Sequence, residues 1–134
     1  MYEEICKRQA ALVAEWLRVG YCQGNMNSDN SALGGVTLDY GPFGFMERFN
    51  PVWNPWVGGG MPYCFGKQPQ AAAINLSILS GAMVELVERV GKAEGTEQAE
   101  LQKTIESMRN AVSHGYGAVH WHRTRELPCC ISMR

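Results

Sequence analysis

The chain has 134 residues, a net charge of −1 and 46% hydrophobic residues, enough for one domain with a core. Its 12 Lys and Arg residues are scattered among 13 acidic ones, so no basic stripe argues for a nucleic-acid or other polyanionic partner. The first residues carry Glu3, Glu4, Lys7 and Arg8 in place of a signal-peptide core. No continuous run approaches the roughly 20 apolar residues of a membrane span, so no membrane partner is expected.

The chain opens on a helical pattern in which Ile5, Leu12, Val13, Trp16 and Leu17 share one face and Gly20 ends the helix. From Tyr21 to Gly35 glycines, asparagines and serines describe a loop, and Val36-Thr37-Leu38 reads as a short β segment leading to Asp39. The stretch from Gly41 to Gly66 holds Pro42, Pro51, Pro55 and Pro62 among Gly and aromatic residues, which disfavours regular helix. Trp53, Trp56, Tyr63 and Phe65 in it are either a ligand platform or packing beneath a long loop, the commoner use.

Ala72, Leu76, Leu79, Met83, Leu86, Val87 and Val90 then mark a long amphipathic helix, with Glu85–Arg89 and Glu88–Lys92 at four-residue spacing outside. Gly91 to Gly95 reads as a connection, Thr96 as an N-cap, and Leu101, Ile105, Met108 and Val112 as a second helical stripe. From Ser113 the helical period is lost, leaving residues 113–134 as an unassigned tail. Five cysteines without a C-x-x-C pattern fit a reducing setting better than a disulfide framework. His114, His120, His122, Cys129 and Cys130 are zinc-type ligands at a spacing that does not match the common sites, which favours ordinary surface residues.

Three residues carry the candidate chemistry. Asp29 and Asn30 stand together, and Asp39 follows nine residues after Asn30, so carboxylate and amide oxygens are available both to a reacting hydroxyl and to a hard divalent cation. Each also has a plain turn reading, since Asp and Asn in glycine-bearing loops commonly bond their own backbone. GMPYCFGK at Gly60 to Lys67 is not a phosphate loop, because five residues separate its glycines and Gln68 follows the lysine; a loop leading into a helix is the better reading.

Taken together, GNMNSDN, GGVTLDYGPFGFME and FGKQPQAA resemble the selenoprotein O (SelO) family of protein adenylyltransferases over about Tyr2 to Glu88. That resemblance implies a kinase-like fold transferring AMP from ATP to Ser, Thr or Tyr hydroxyls of protein substrates. It also implies Asp29 as proton acceptor, Asn30 and Asp39 as Mg²⁺ ligands, and Asp39 as a contributor to nucleotide binding. Gln23 and Ser31 depart from the residues many members carry, His and Met. The adjacent Asp-Asn pair also differs from the ordinary kinase catalytic loop, where the two are separated.

The glycine-rich cover, strand lysine and helix glutamate of a nucleotide-binding small lobe do not precede the loop. The expectation is therefore a mainly α chain with a short β segment, over residues 1–112 part of the large lobe of a kinase-like fold, weak or inactive as it stands. The family setting would be mitochondrial in a eukaryote and cytoplasmic in a bacterium. The alternative is a non-catalytic interaction module related to pseudokinases.

Overall fold

A computed structural model describes residues 1–38 and 41–125, with side chains described through Ser113. It is mainly helical: α1 spans Tyr2–Val19, α2 Gln68–Glu94 and α3 Gln98–Arg125. Strands β1, Tyr21–Cys22, and β2, Gly44–Phe45, form the two-stranded antiparallel sheet, with Tyr21 opposite Phe45 and Cys22 opposite Gly44.

Gly20 ends α1 as expected, in the left-handed region at φ 75°, its N–H donating to the Trp16 carbonyl. The buried line of α1 is Tyr2, Cys6, Gln9, Val13 and Trp16, while Ile5, Leu12 and Leu17 flank it half-buried. The face is thus centred on a line containing a thiol and an amide, which an apolar count does not pick out. Two core clusters result. Val13, Trp16, Tyr21, Met26 and Ala71 join α1, β1, the following loop and α2, and Tyr2, Cys6 and Ala111 join α1 to α3 beside Leu76, Leu79 and Met83 of α2.

Several expectations are corrected. Val36–Leu38 forms no strand; its groups bond to side chains, with Thr37 Oγ1 accepting from Trp16 Nε1 at 2.9 Å and the Leu38 carbonyl from Gln23 Nε2 at 2.9 Å. Gly91 does not open a connection but lies buried within α2, packed against Leu101 of α3, where a Cβ would collide with that side chain. Gly95 ends α2 at φ 70°, and the Thr96 N–H donates to the Gly91 carbonyl at 2.9 Å, so Thr96 closes α2 instead of capping α3.

The helical backbone of α3 also runs through residues 113–125, because Gly115 and Gly117 weaken a helix without ending it and the next proline is Pro128. On α2, Leu86 and Val90 are 59% and 44% exposed, so the buried stripe is shorter than its apolar pattern. The ion pairs found among the described residues all lie on α1, and the spacings on α2 do not close into pairs, as exposed long side chains gain little by pairing. Within Phe65–Glu94 an 18-residue window reaches a mean hydropathy of 1.4, so by length and composition alone this stretch is long and apolar enough to cross a membrane, although no continuous apolar run of that length occurs in it. Its alanines raise the average between isolated Ile and Leu residues, and only 22% of that window is buried within the chain.

Candidate functional site

Asp29 and Asn30 lie on a single 3₁₀ turn, Ser28–Asn30, with Asp29 exposed and Asn30 half-buried. The loop carrying that turn leaves β1 through buried Gln23 and Gly24. Gly24 sits at φ 72°, where a Cβ would strike the Pro42 carbonyl, so both conformation and space require glycine. Met26, 4% exposed, then anchors the loop in the first core cluster.

Beyond that anchor the loop has almost no ladder of its own, and amide side chains from the surrounding elements bond its backbone. Asn75 of α2 straddles the turn, its Nδ2 donating to the Met26 carbonyl at 2.8 Å and to Ser31 Oγ at 3.2 Å. Gln9 of α1 donates to the Ala32 carbonyl. The Tyr63 hydroxyl donates to Asn27 Oδ1 at 2.6 Å. Gln68, fully buried at the start of α2, uses both ends of its amide: Oε1 accepts from the Gln23 N–H and Nε2 donates to the Tyr21 carbonyl, each at 2.9 Å. It occupies the open edge of β1 as a third strand would.

This scaffold presents Asp29 to solvent and fixes Asn30. Asn30 Nδ2 donates to the Asn25 carbonyl at 3.3 Å, which turns the amide oxygen, the end a hard cation takes, away from that bond. The local self-bonding expected of turn residues occurs at Asn25, whose Oδ1 accepts from the Asn27 N–H at 3.3 Å.

Asp39 lies outside the described residues, as does Tyr40, while its neighbour Leu38 is tied to Gln23. Gln23 and Ser31 both serve the loop, Gln23 through Leu38 and Ser31 through Asn75. The histidines and cysteines of the tail have no described side chains. Among the described residues no three His, Cys, Asp or Glu side chains group as a metal site.

Cys6, Cys22 and Cys64 are free and buried. Burial pushes the Cys22 thiol up to about 11, so it is a packed, protonated group and no nucleophile at neutral pH. The loop before α2 forms 3₁₀ turns Met61–Tyr63 and Phe65–Lys67 that run into Gln68, as the reading of a loop leading into a helix anticipates. Of the aromatic group, Phe65 is buried and meets Phe49 edge-on at 6.2 Å, whereas Tyr63 holds the loop.

Gln9, Gln68 and Asn75 escaped the sequence reading. Their signature was polar side chains on otherwise apolar helical lines, Gln9 between Cys6 and Val13, and Gln68 and Asn75 either side of Ala71.

Comparison with known proteins adds the family. The model of the family described as protein adenylyltransferase SelO matches residues 1–124. The chain is 46% identical over 89 residues to a protein nucleotidyltransferase YdiU of Nitrosospira multiformis, covering 65% of this chain and 16% of that protein. It is 40% identical over 113 residues to the protein of the same name from Rhodopirellula baltica, covering 81% and 21%. The chain thus spans about a fifth or less of the curated relatives it matches, and it belongs to the SelO family of nucleotidyltransferases.

Proposed function

We propose that this chain carries the catalytic-loop portion of a SelO-type protein adenylyltransferase, part of the large lobe of a kinase-like fold, which moves AMP from ATP to a protein hydroxyl. The observation behind this reading is the presentation of Asp29 and Asn30 on one turn clamped on both sides by Asn75. Asp29, exposed on the turn, accepts the proton of a Ser, Thr or Tyr hydroxyl as that oxygen attacks the α-phosphorus and pyrophosphate leaves. The Asn30 amide oxygen and the Asp39 carboxylate form a hard-oxygen donor set suited to Mg²⁺. Bound there, Mg²⁺ would neutralise charge on the ATP phosphates.

Spanning a fifth of its relatives, the chain by itself is expected to transfer AMP weakly or not at all. A second reading, a non-catalytic interaction module, is favoured by the exposed apolar residues of α2, Ile74, Ile78 and Leu86. A thermal melt followed by circular dichroism with and without Mg-ATP separates the two. Ligand at a hundredfold excess over its Kd stabilises the folded state by about 2.7 kcal/mol, so an upward shift that Asp39→Ala removes and Asp29→Ala retains supports the nucleotide site. A melt unchanged by Mg-ATP leaves the interaction module.

A further inference from the structure

An open groove of about 410 Å³ borders the candidate loop, within the size range of ligand pockets. Met61, Pro62, Ala71 and Ile74 line it with apolar groups, and among the described residues Lys67 is the one charged residue of its lining. Met61 and Ile74 are 58% and 53% exposed, so the apolar lining is open to solvent. Two further lining residues, Tyr63 and Asn75, are the ones that hold the turn of Asp29 and Asn30. The groove is therefore linked to the turn through these two side chains.

We propose that this groove binds the acceptor segment of the protein substrate, an apolar side chain lying on Met61, Pro62 and Ile74 while an adjacent acidic residue meets Lys67; the inference rests on the adenylyl-transfer reading above. Lys67 takes part in none of the ion pairs found among the described residues, so its charge is available to an incoming carboxylate. Its ammonium makes the groove complementary to an acidic segment and disfavours a basic one. Asn27, bonded to Tyr63, is two residues from Asp29, so the two lie less than about 7 Å apart along the chain. An acceptor hydroxyl placed at Asp29 would then precede or follow the anchoring residue by roughly two to four positions.

The test uses the 134-residue chain and a fluorescein-labelled hexapeptide carrying serine, then leucine and glutamate two and three positions further on, with fluorescence anisotropy as readout. A second peptide has lysine in place of the glutamate. The glutamate peptide should bind at least tenfold tighter, Lys67→Glu should reverse that preference, and Ile74→Asp should remove binding of both. Both residues are exposed, so the variants keep the fold, which circular dichroism verifies.

Equal binding of the two peptides, or binding of neither, overturns the proposal. So does a Lys67→Glu chain that loses its Mg-ATP melting shift, since the groove would then belong to the nucleotide. The peptide preference persisting in a chain that Mg-ATP does not stabilise would leave the groove standing and remove the adenylyl-transfer reading instead.

Discussion

At the scale of single residues, the site depends on side chains that do no chemistry. Gln68 is fully buried and bonds two backbone groups of the segment that leads into the loop. Replacing it with methionine keeps the volume but strands the Gln23 N–H and the Tyr21 carbonyl, each costing about 1–3 kcal/mol when left unsatisfied. Gln68→Met should therefore lower unfolding stability by about 3 kcal/mol in urea denaturation, a loss far larger than surface substitutions give; a change below 1 kcal/mol would show that β1 does not need this partner.

Cys22 supplies a pH dependence. Its thiol is raised from an ordinary value of 9.0 to about 11, chiefly by burial, so the folded chain holds a proton that the unfolded chain releases between those values. The stabilisation is fully present below about pH 9 and lost as pH rises through 11, by about 3 kcal/mol in all. Cys6 and Tyr2 are shifted in the same direction by burial. Cys22→Ala should flatten the fall in stability over that interval without abolishing it, as read from urea midpoints at pH 8, 9.5 and 11.

At the scale of elements, sequence periodicity found what repeats and missed what is held by single contacts. The three helices were legible through their apolar spacing, and Gly20 marked the end of α1. The extension of α2 through Gly91 was not, because a glycine reads as a break unless the facing Leu101 is known. Val36–Leu38 has strand-forming residues, yet its bonds go to Trp16 and Gln23, long-range partners that no local pattern announces. β1 and β2 are two residues each, too short for an alternation to register. The site followed the same division: Asp29 and Asn30 stood out by type and adjacency, whereas the amides that position them sit on helices forty or more residues away in one case and twenty in another.

At the scale of the whole molecule, α2 presents a line of apolar residues at four-residue spacing, with Ile74, Ile78, Leu86 and Val90 between 44% and 62% exposed. Such a ridge is the surface that packs into a facing helix, and contiguous exposed apolar area on a water-soluble chain promotes association. Glu85, Glu88, Arg89 and Lys92 crowd the C-terminal part of the same helix, which weighs against a lipid environment for it, since each buried charge would cost several kcal/mol. A protein surface is the better complement.

The 134-residue chain should accordingly associate as its concentration rises, with a weight-average mass in sedimentation equilibrium above that of one copy. Ile78→Glu, at the most exposed of these positions, should return it to a single-copy mass while leaving the urea midpoint nearly unchanged, because Ile78 contributes little to the chain's own core. If association persisted undiminished in Ile78→Glu, the ridge would not be the contact surface, and the half-buried aromatics around Trp53 and Trp56 would become the next face to substitute.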